Sequence, residues 1–142
     1  MSTHIYYSDI KFRIGRTKEI KSILESIVAE EGKIYGDVSF VITSDENVLT
    51  INKEFLHHNY YTDVITFDYC EADVVNGEIY ISIDTVRNNS KIFKVKLLDE
   101  LFRVMIHGVL HLCGYDDKTD EQKIVMRQNE EKWLNRLYEL NK

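Results

Sequence analysis

The chain has 142 residues, 44% of them hydrophobic and 30% charged, with a formal net charge of −6, the balance of one soluble globular domain with a core of its own. Its apolar runs are too short and interrupted to span a bilayer, its N-terminus lacks the basic flank and apolar stretch of a signal peptide, and its negative surplus opposes broad charge-driven binding to a polyanion. A cytoplasmic protein is therefore expected, with its two cysteines, Cys70 and Cys113, as reduced thiols.

In chain order, His4 to Ser8 alternates weakly and predicts a strand. Thr17 is expected to cap a helix whose apolar face is Ile20, Ile23, Leu24, Ile27 and Val28, ending at Gly32. Asp37 to Thr43 alternates Val38, Phe40 and Ile42 and predicts the next strand. Ser44 is expected to cap a helix carrying Asp45 and Glu46 in its first turn, with Val48, Leu49, Ile51, Phe55 and Leu56 at helical spacing. Thr62 to Tyr69 and Glu78 to Ile83 predict an antiparallel pair joined by a long connection containing Asn76-Gly77.

Asp84 is expected to cap a short helix over residues 85–93. A helix from about Lys96 to Cys113 follows, apolar nearly all round and therefore read as the central buried one. A loop at Gly114 to Thr119 leads to a last helix from Asp120 to Leu140. The expected fold is α+β: a single domain with a small mixed four-stranded sheet covered by helices, and a metal site at the C-terminal end of the buried helix. Two basic runs, Arg13 to Lys21 and Arg87 to Arg103, read as solvated helix faces, either of which can form a local patch.

The most informative stretch is Val104-Met-Ile-His107-Gly-Val-Leu-His111-Leu-Cys-Gly114-Tyr-Asp-Asp117. Residues four apart share one helix face, so His107 and His111 can aim two imidazoles at one point. Gly114 can turn the chain out of the helix and bring Asp117 back toward that point, with Asp116 a competitor for the third position. Two imidazoles and a carboxylate leave a fourth position open on a metal such as zinc, the ligand count of a catalytic site. The competing reading is a packed polar cluster, but imidazoles in so apolar a helix need partners. Arg103 and Glu100, one and two turns earlier, can back the ligands. Cys113 points to another face, and the adjacent pair His57-His58 reads as surface histidines or a helix end near the site. Zinc proteases with a His-Glu-x-x-His helix place their general base after the first histidine, where this chain has Gly108. That glycine permits close approach by a neighbouring backbone or by substrate; helix–strand packing explains it equally well.

The motif from His107 to Asp116 strongly resembles the YbeY family, bacterial metal-dependent endoribonucleases of ribosomal RNA maturation. Thr62-Asp63-Val64-Ile65-Thr66-Phe67 resembles that family's Thr-Asp-Val-Leu-Ser-Phe strand, and Gly77 to Ser82 its Gly-Asp-Ile-x-Ile-Ser strand, so the likeness runs from Asp37 onward. The resemblance implies one zinc ion per chain on His107, His111 and the residue at 117. It also implies cleavage of single-stranded RNA near the 3′ end of small-subunit ribosomal RNA, hence a small-subunit partner, while the short apolar runs lead to the expectation of no membrane association. The chain departs from the family in having Asp117 where histidine is usual. It also lacks the arginine of a Tyr-Arg-x-x-Asp segment, whose places are taken by Phe55, Leu56 and Asn59. A leucine cannot clamp a phosphate, so Arg103, Arg87 and His58 become the candidate cations. The expected catalytic set is His107, Arg103 and Asp63, with Asp63 as base or ligand-shell partner, or else merely tying down a loop. The alternatives are an assembly factor with a structural metal, and a zinc peptidase binding peptide along an edge strand near Glu78 to Ser82.

Overall fold

In chain order the elements are β1 (Ser2–Tyr7), α1 (Thr17–Glu30), β2 (Ile34–Thr43), α2 (Asp45–Leu56), β3 (Val64–Asp68), β4 (Val74–Ser82), α3 (Ile83–Phe93), α4 (Leu97–Leu112) and α5 (Asp120–Glu139). They come from a computed structural model that describes residues 2–58 and 62–140. The strands form one mixed sheet in the order β1-β2-β4-β3; β1, β2 and β4 run parallel, and β3 pairs antiparallel with β4 at the edge. Period-two alternation puts Val38, Phe40 and Ile42 of β2 and Ile79 and Ile81 of β4 on one buried face. Against it lies α4, which buries Leu101, Phe102, Val104, Met105, Ile106, Val109, Leu110 and Leu112, so it is the central helix its composition predicts. Each such side chain contributes about 1.5–3 kcal/mol on burial. That surplus lets the same helix carry the buried carboxylate of Glu100. The opposite face of the sheet is covered only in part: α2 reaches it through Phe55, whose ring meets Phe67 edge-on, while Tyr6 and Tyr69 are exposed.

Local departures from the predicted elements have visible causes. The pair β3 and β4 is antiparallel as expected, but β4 begins at Val74 and the connection is short. Asn76-Gly77 lies inside the strand because the pairing of β2 with β4 shifts register between Tyr35 and Val38. There the Asn76 Oδ1 accepts a hydrogen bond from the Asp37 N–H at 2.9 Å, so the amide serves an irregularity in the ladder and not a turn. The turn is made upstream, where Asp68 Oδ1 accepts from the Cys70 N–H at 2.8 Å and Ala72 adopts φ 51°. β4 has hydrogen-bonded neighbours on both sides, so Glu78 to Ser82 is not an edge and has no free ladder for an added peptide strand.

Ser82, not Asp84, caps α3, its Oγ accepting from the Thr85 N–H at 3.2 Å. Asp84 instead accepts from the Asp45 N–H at the start of α2, at 3.0 Å. Ahead of α1 the cap position is Arg16, in left-handed conformation and without a side-chain cap bond. Ser44 caps α2 as expected, and Thr119 with Gln122 forms a reciprocal capping box on α5.

Candidate metal centre

At the C-terminal end of α4, His107 and His111 stand one turn apart with their Nε2 atoms 2.9 Å from each other. The chain leaves the helix through Gly114, at φ 107°, after the Tyr115 N–H has closed on the Leu110 carbonyl at 3.0 Å. This turn brings Asp117 back, its Oδ2 lying 3.3 Å from the His107 Nε2 and 3.4 Å from the His111 Nε2. Asp117, and not Asp116, supplies the converging carboxylate among the described residues.

Hydrogen bonds on the far side of each ring assign the tautomers. His107 Nδ1 meets Glu130 Oε2 at 2.6 Å, and His111 Nδ1 meets the Tyr115 carbonyl at 2.8 Å. Both partners are acceptors, so each Nδ1 carries the proton and donates it, and in the neutral ring each Nε2 keeps a lone pair. With both rings neutral, two lone pairs and a carboxylate oxygen face one point, an arrangement that a cation would satisfy. Ligands about 2.0–2.1 Å from a shared tetrahedral centre stand roughly 3.3–3.4 Å apart, which matches the 3.3 and 3.4 Å from Asp117 Oδ2 to the two Nε2 atoms, while the Nε2 atoms themselves, at 2.9 Å, stand closer together. The residues present fit a divalent metal.

Behind the histidines lies a chain of charges. Glu130 of α5, 2% exposed, also accepts from Arg103 Nη1 at 2.8 Å. Arg103 grips Glu100 with both Nε, at 2.9 Å, and Nη2, at 2.5 Å. Burial by itself would push the Glu130 carboxyl up, but the His107 hydrogen bond and the adjacent Arg103 charge hold it below its ordinary value. The Arg103 guanidinium loses hydration on burial, yet its bonds to Glu100 and Glu130 raise its pKa overall. Three of its five N–H groups are thus spent on carboxylates, so Arg103 stands behind the ligands as part of their support.

In front of the ligands opens a cleft of about 550 Å³, walled on one side by His107, His111 and Asp117 and on the other by residues around β3, among them Asp63 and Thr66. Burial pushes the Asp63 carboxyl above its ordinary value, although the Arg103 charge opposes this. Its backbone is tied as well, its carbonyl accepting from the Ser82 N–H at 2.9 Å. Leu56 and His58 line the cleft too, so the position where the family arginine is absent does face the site. Asn59, aligned with the aspartate of that segment, lies outside the described residues. Arg87 is exposed on α3 and lines neither this cleft nor the smaller recess beside it. His57 ends α2 in left-handed conformation. Gly108 faces β4, where an added Cβ would stand 2.8 Å from Ile79 Cδ1, so helix–strand packing accounts for the glycine.

Sequence reasoning placed Glu100 and Arg103 near the ligands but missed Glu130, which arrives from another helix. A signal was present: Met126, Glu130, Trp133 and Leu137 form the buried stripe of α5, and a glutamate in such a stripe needs a buried partner.

Fold and site together describe a small α+β protein with two histidines and an aspartate that could hold a metal ion, at the wall of a cleft. The sequence model of the family described as Endoribonuclease YbeY matches residues 6–138, and the chain belongs to that family. It is 40% identical to the Endoribonuclease YbeY of Parabacteroides distasonis, over 94% of each chain. It is 47% identical to that of Porphyromonas gingivalis, over 84% of this chain and 79% of the relative. A solution structure of a Thermotoga maritima protein superposes with a TM-score of 0.67 at 30% identity, covering 96% of this chain and 89% of that one. Among the described residues no helix is long and apolar enough to cross a membrane.

Proposed function

We propose that this protein is a zinc-dependent, single-strand-specific endoribonuclease that processes ribosomal RNA, at the 3′ end of the small-subunit RNA, during ribosome maturation in the cytoplasm. What carries the reading is the convergence of His107 Nε2, His111 Nε2 and Asp117 Oδ2 on one point at the wall of an open cleft, in a chain of the YbeY family. One domain, residues 1–142, holds the whole site. Bound by these three residues, a zinc ion supplies a Lewis acid for a phosphoryl oxygen and makes water a stronger acid.

The protein's own groups have separable tasks. Glu130 holds the His107 ring in the tautomer that presents Nε2, and Arg103, anchored on Glu100, holds Glu130 in turn. Arg103 is accordingly a positioning residue for His107. Asp63, across the cleft and with its carboxyl pushed up by burial, is suited to take a proton from the attacking water. An unpaired strand can splay its bases and backbone into such a cleft, which a duplex cannot do without opening.

The test is metal analysis of purified protein beside cleavage of a labelled single-stranded RNA derived from the small-subunit 3′ end. About one zinc per chain is expected, with cleavage that requires added metal, and both lost in His107→Ala and His111→Ala. Retention of zinc without cleavage across several metals would replace the nuclease by an assembly factor with a structural ion. Full metal retention in His111→Ala would overturn the ligand set.

A further inference from the structure

Beside the main cleft lies a smaller recess of about 240 Å³ that shares His107 and Asp117 with it and is closed on the far side by Lys123, Met126 and Arg127 of α5. Lys123 and Arg127 are one helical turn apart on the same face of α5, and Glu130 continues that line toward His107. Both heads are exposed, and neither forms a side-chain hydrogen bond or ion pair with a described residue. Other cations of the helix are spent: Lys132 and Arg136 both pair with Glu30.

Local charge makes this pair significant. Glu100, Glu130 and Asp117 set three carboxylates against the single guanidinium of Arg103, a formal surplus of two negative charges around the ligand group. A divalent ion does no more than neutralise it, so an approaching phosphodiester needs attraction from elsewhere. The described residues lining the main cleft include no lysine or arginine, leaving His58 as the candidate cation there, and Leu56 occupies the wall where a permanent charge would serve. In a chain of net charge −6, the cations that share a recess with the ligands are Arg103, already committed to two carboxylates, and these two.

We infer that Lys123 and Arg127 form a phosphate-binding subsite, gripping the backbone of a single-stranded nucleic acid on the α5 side of the metal centre while the reacting linkage lies in the β3 cleft. The inference rests on the nuclease reading above and adds the strand's path across the site, from β3 over His107 and Asp117 to α5. Arg127 can take a phosphate in bidentate fashion and Lys123 as a point charge. Sequence preference is not expected from such contacts, because they touch the backbone and not the bases.

The experiment compares wild type, Lys123→Ala/Arg127→Ala and, as a control removing the same charge from the same helix, Lys132→Ala/Arg136→Ala. All are metal-loaded and assayed across a salt series. Readouts are kcat, KM for a single-stranded RNA, metal content, and anisotropy of a labelled, cleavage-resistant 2′-O-methyl phosphorothioate strand. The inference expects unchanged metal content and kcat, about a tenfold weaker KM and Kd, and a log–log salt slope shallower by about 1.4 for two lost contacts. Lys123→Arg/Arg127→Lys should recover most of the binding. If wild type cleaves and binds while the α5 recess variant matches the control in KM, Kd and slope, the subsite is refuted and the nuclease reading stands. If wild type neither cleaves nor binds, both fall together.

Discussion

Replacing Glu130 tests the support of the metal centre most directly. The alanine variant removes the acceptor 2.6 Å from His107 Nδ1 and the acceptor 2.8 Å from Arg103 Nη1 in one step. Without it the imidazole is free to rotate or to move its proton to Nε2, which ends its ability to donate a lone pair. Losses of this kind cost 10–100-fold in metal affinity, about 1.4–2.7 kcal/mol. Stability of the metal-free protein should also fall. Removing one partner of a buried ion pair costs about 3–5 kcal/mol, and the lower end applies here because Glu100 continues to neutralise Arg103. Glu130→Gln separates the two effects. Its amide oxygen can still accept from His107, but its NH₂ then faces the Arg103 guanidinium, so about tenfold weaker metal binding with a smaller stability loss is expected. The assays are competition with a chromophoric chelator for affinity, and urea unfolding in excess chelator for stability. A folded Glu130→Ala protein that binds metal as tightly as wild type would refute the argument, since His107 would then hold its orientation unaided.

Asp63→Asn should abolish cleavage while raising stability at neutral pH. The folded-state pKa of this carboxyl lies above its unfolded value because of burial. Asp63 therefore disfavours the folded state once ionised, and the variant's gain should be full above the folded pKa and vanish as pH falls below the ordinary carboxylate range, as denaturant titrations across pH would read. Gly108→Ala should lose about 1–2 kcal/mol, the overpacking against Ile79 exceeding the helix-propensity gain. Ile79→Val should rescue part of that loss in the double variant, and a stabilised Gly108→Ala would count against close packing. Asp117→Ala should lose tight metal binding, Asp116→Ala should keep it, and Asp117→His should preserve it. Calorimetric metal titration checks all three, and a reversal of the two alanine variants would move the third ligand to Asp116.

The parts of this protein legible in its sequence are those set by short-range geometry. Residues four apart on α4 meet whatever surrounds the helix, so His107 and His111 could be paired from spacing alone, and the left-handed turn at Gly114 made the return of Asp117 a local matter too. The same holds for the apolar circumference of α4, whose burial follows from its composition. Strand pairing is less local. Nothing within Glu78 to Ser82 reveals that β2 will lie on one side and β3 on the other, and Asn76-Gly77 reads as a turn until the register shift of β2 makes it part of a strand. Most dependent on tertiary structure is the charge chain from Glu100 through Arg103 and Glu130 to His107. Whether Arg103 meets substrate or a carboxylate depends on where α5 docks, a contact between residues 27 positions apart. Electrostatic roles of this kind are decided by which charges share a buried volume, and only the folded arrangement of helices settles that.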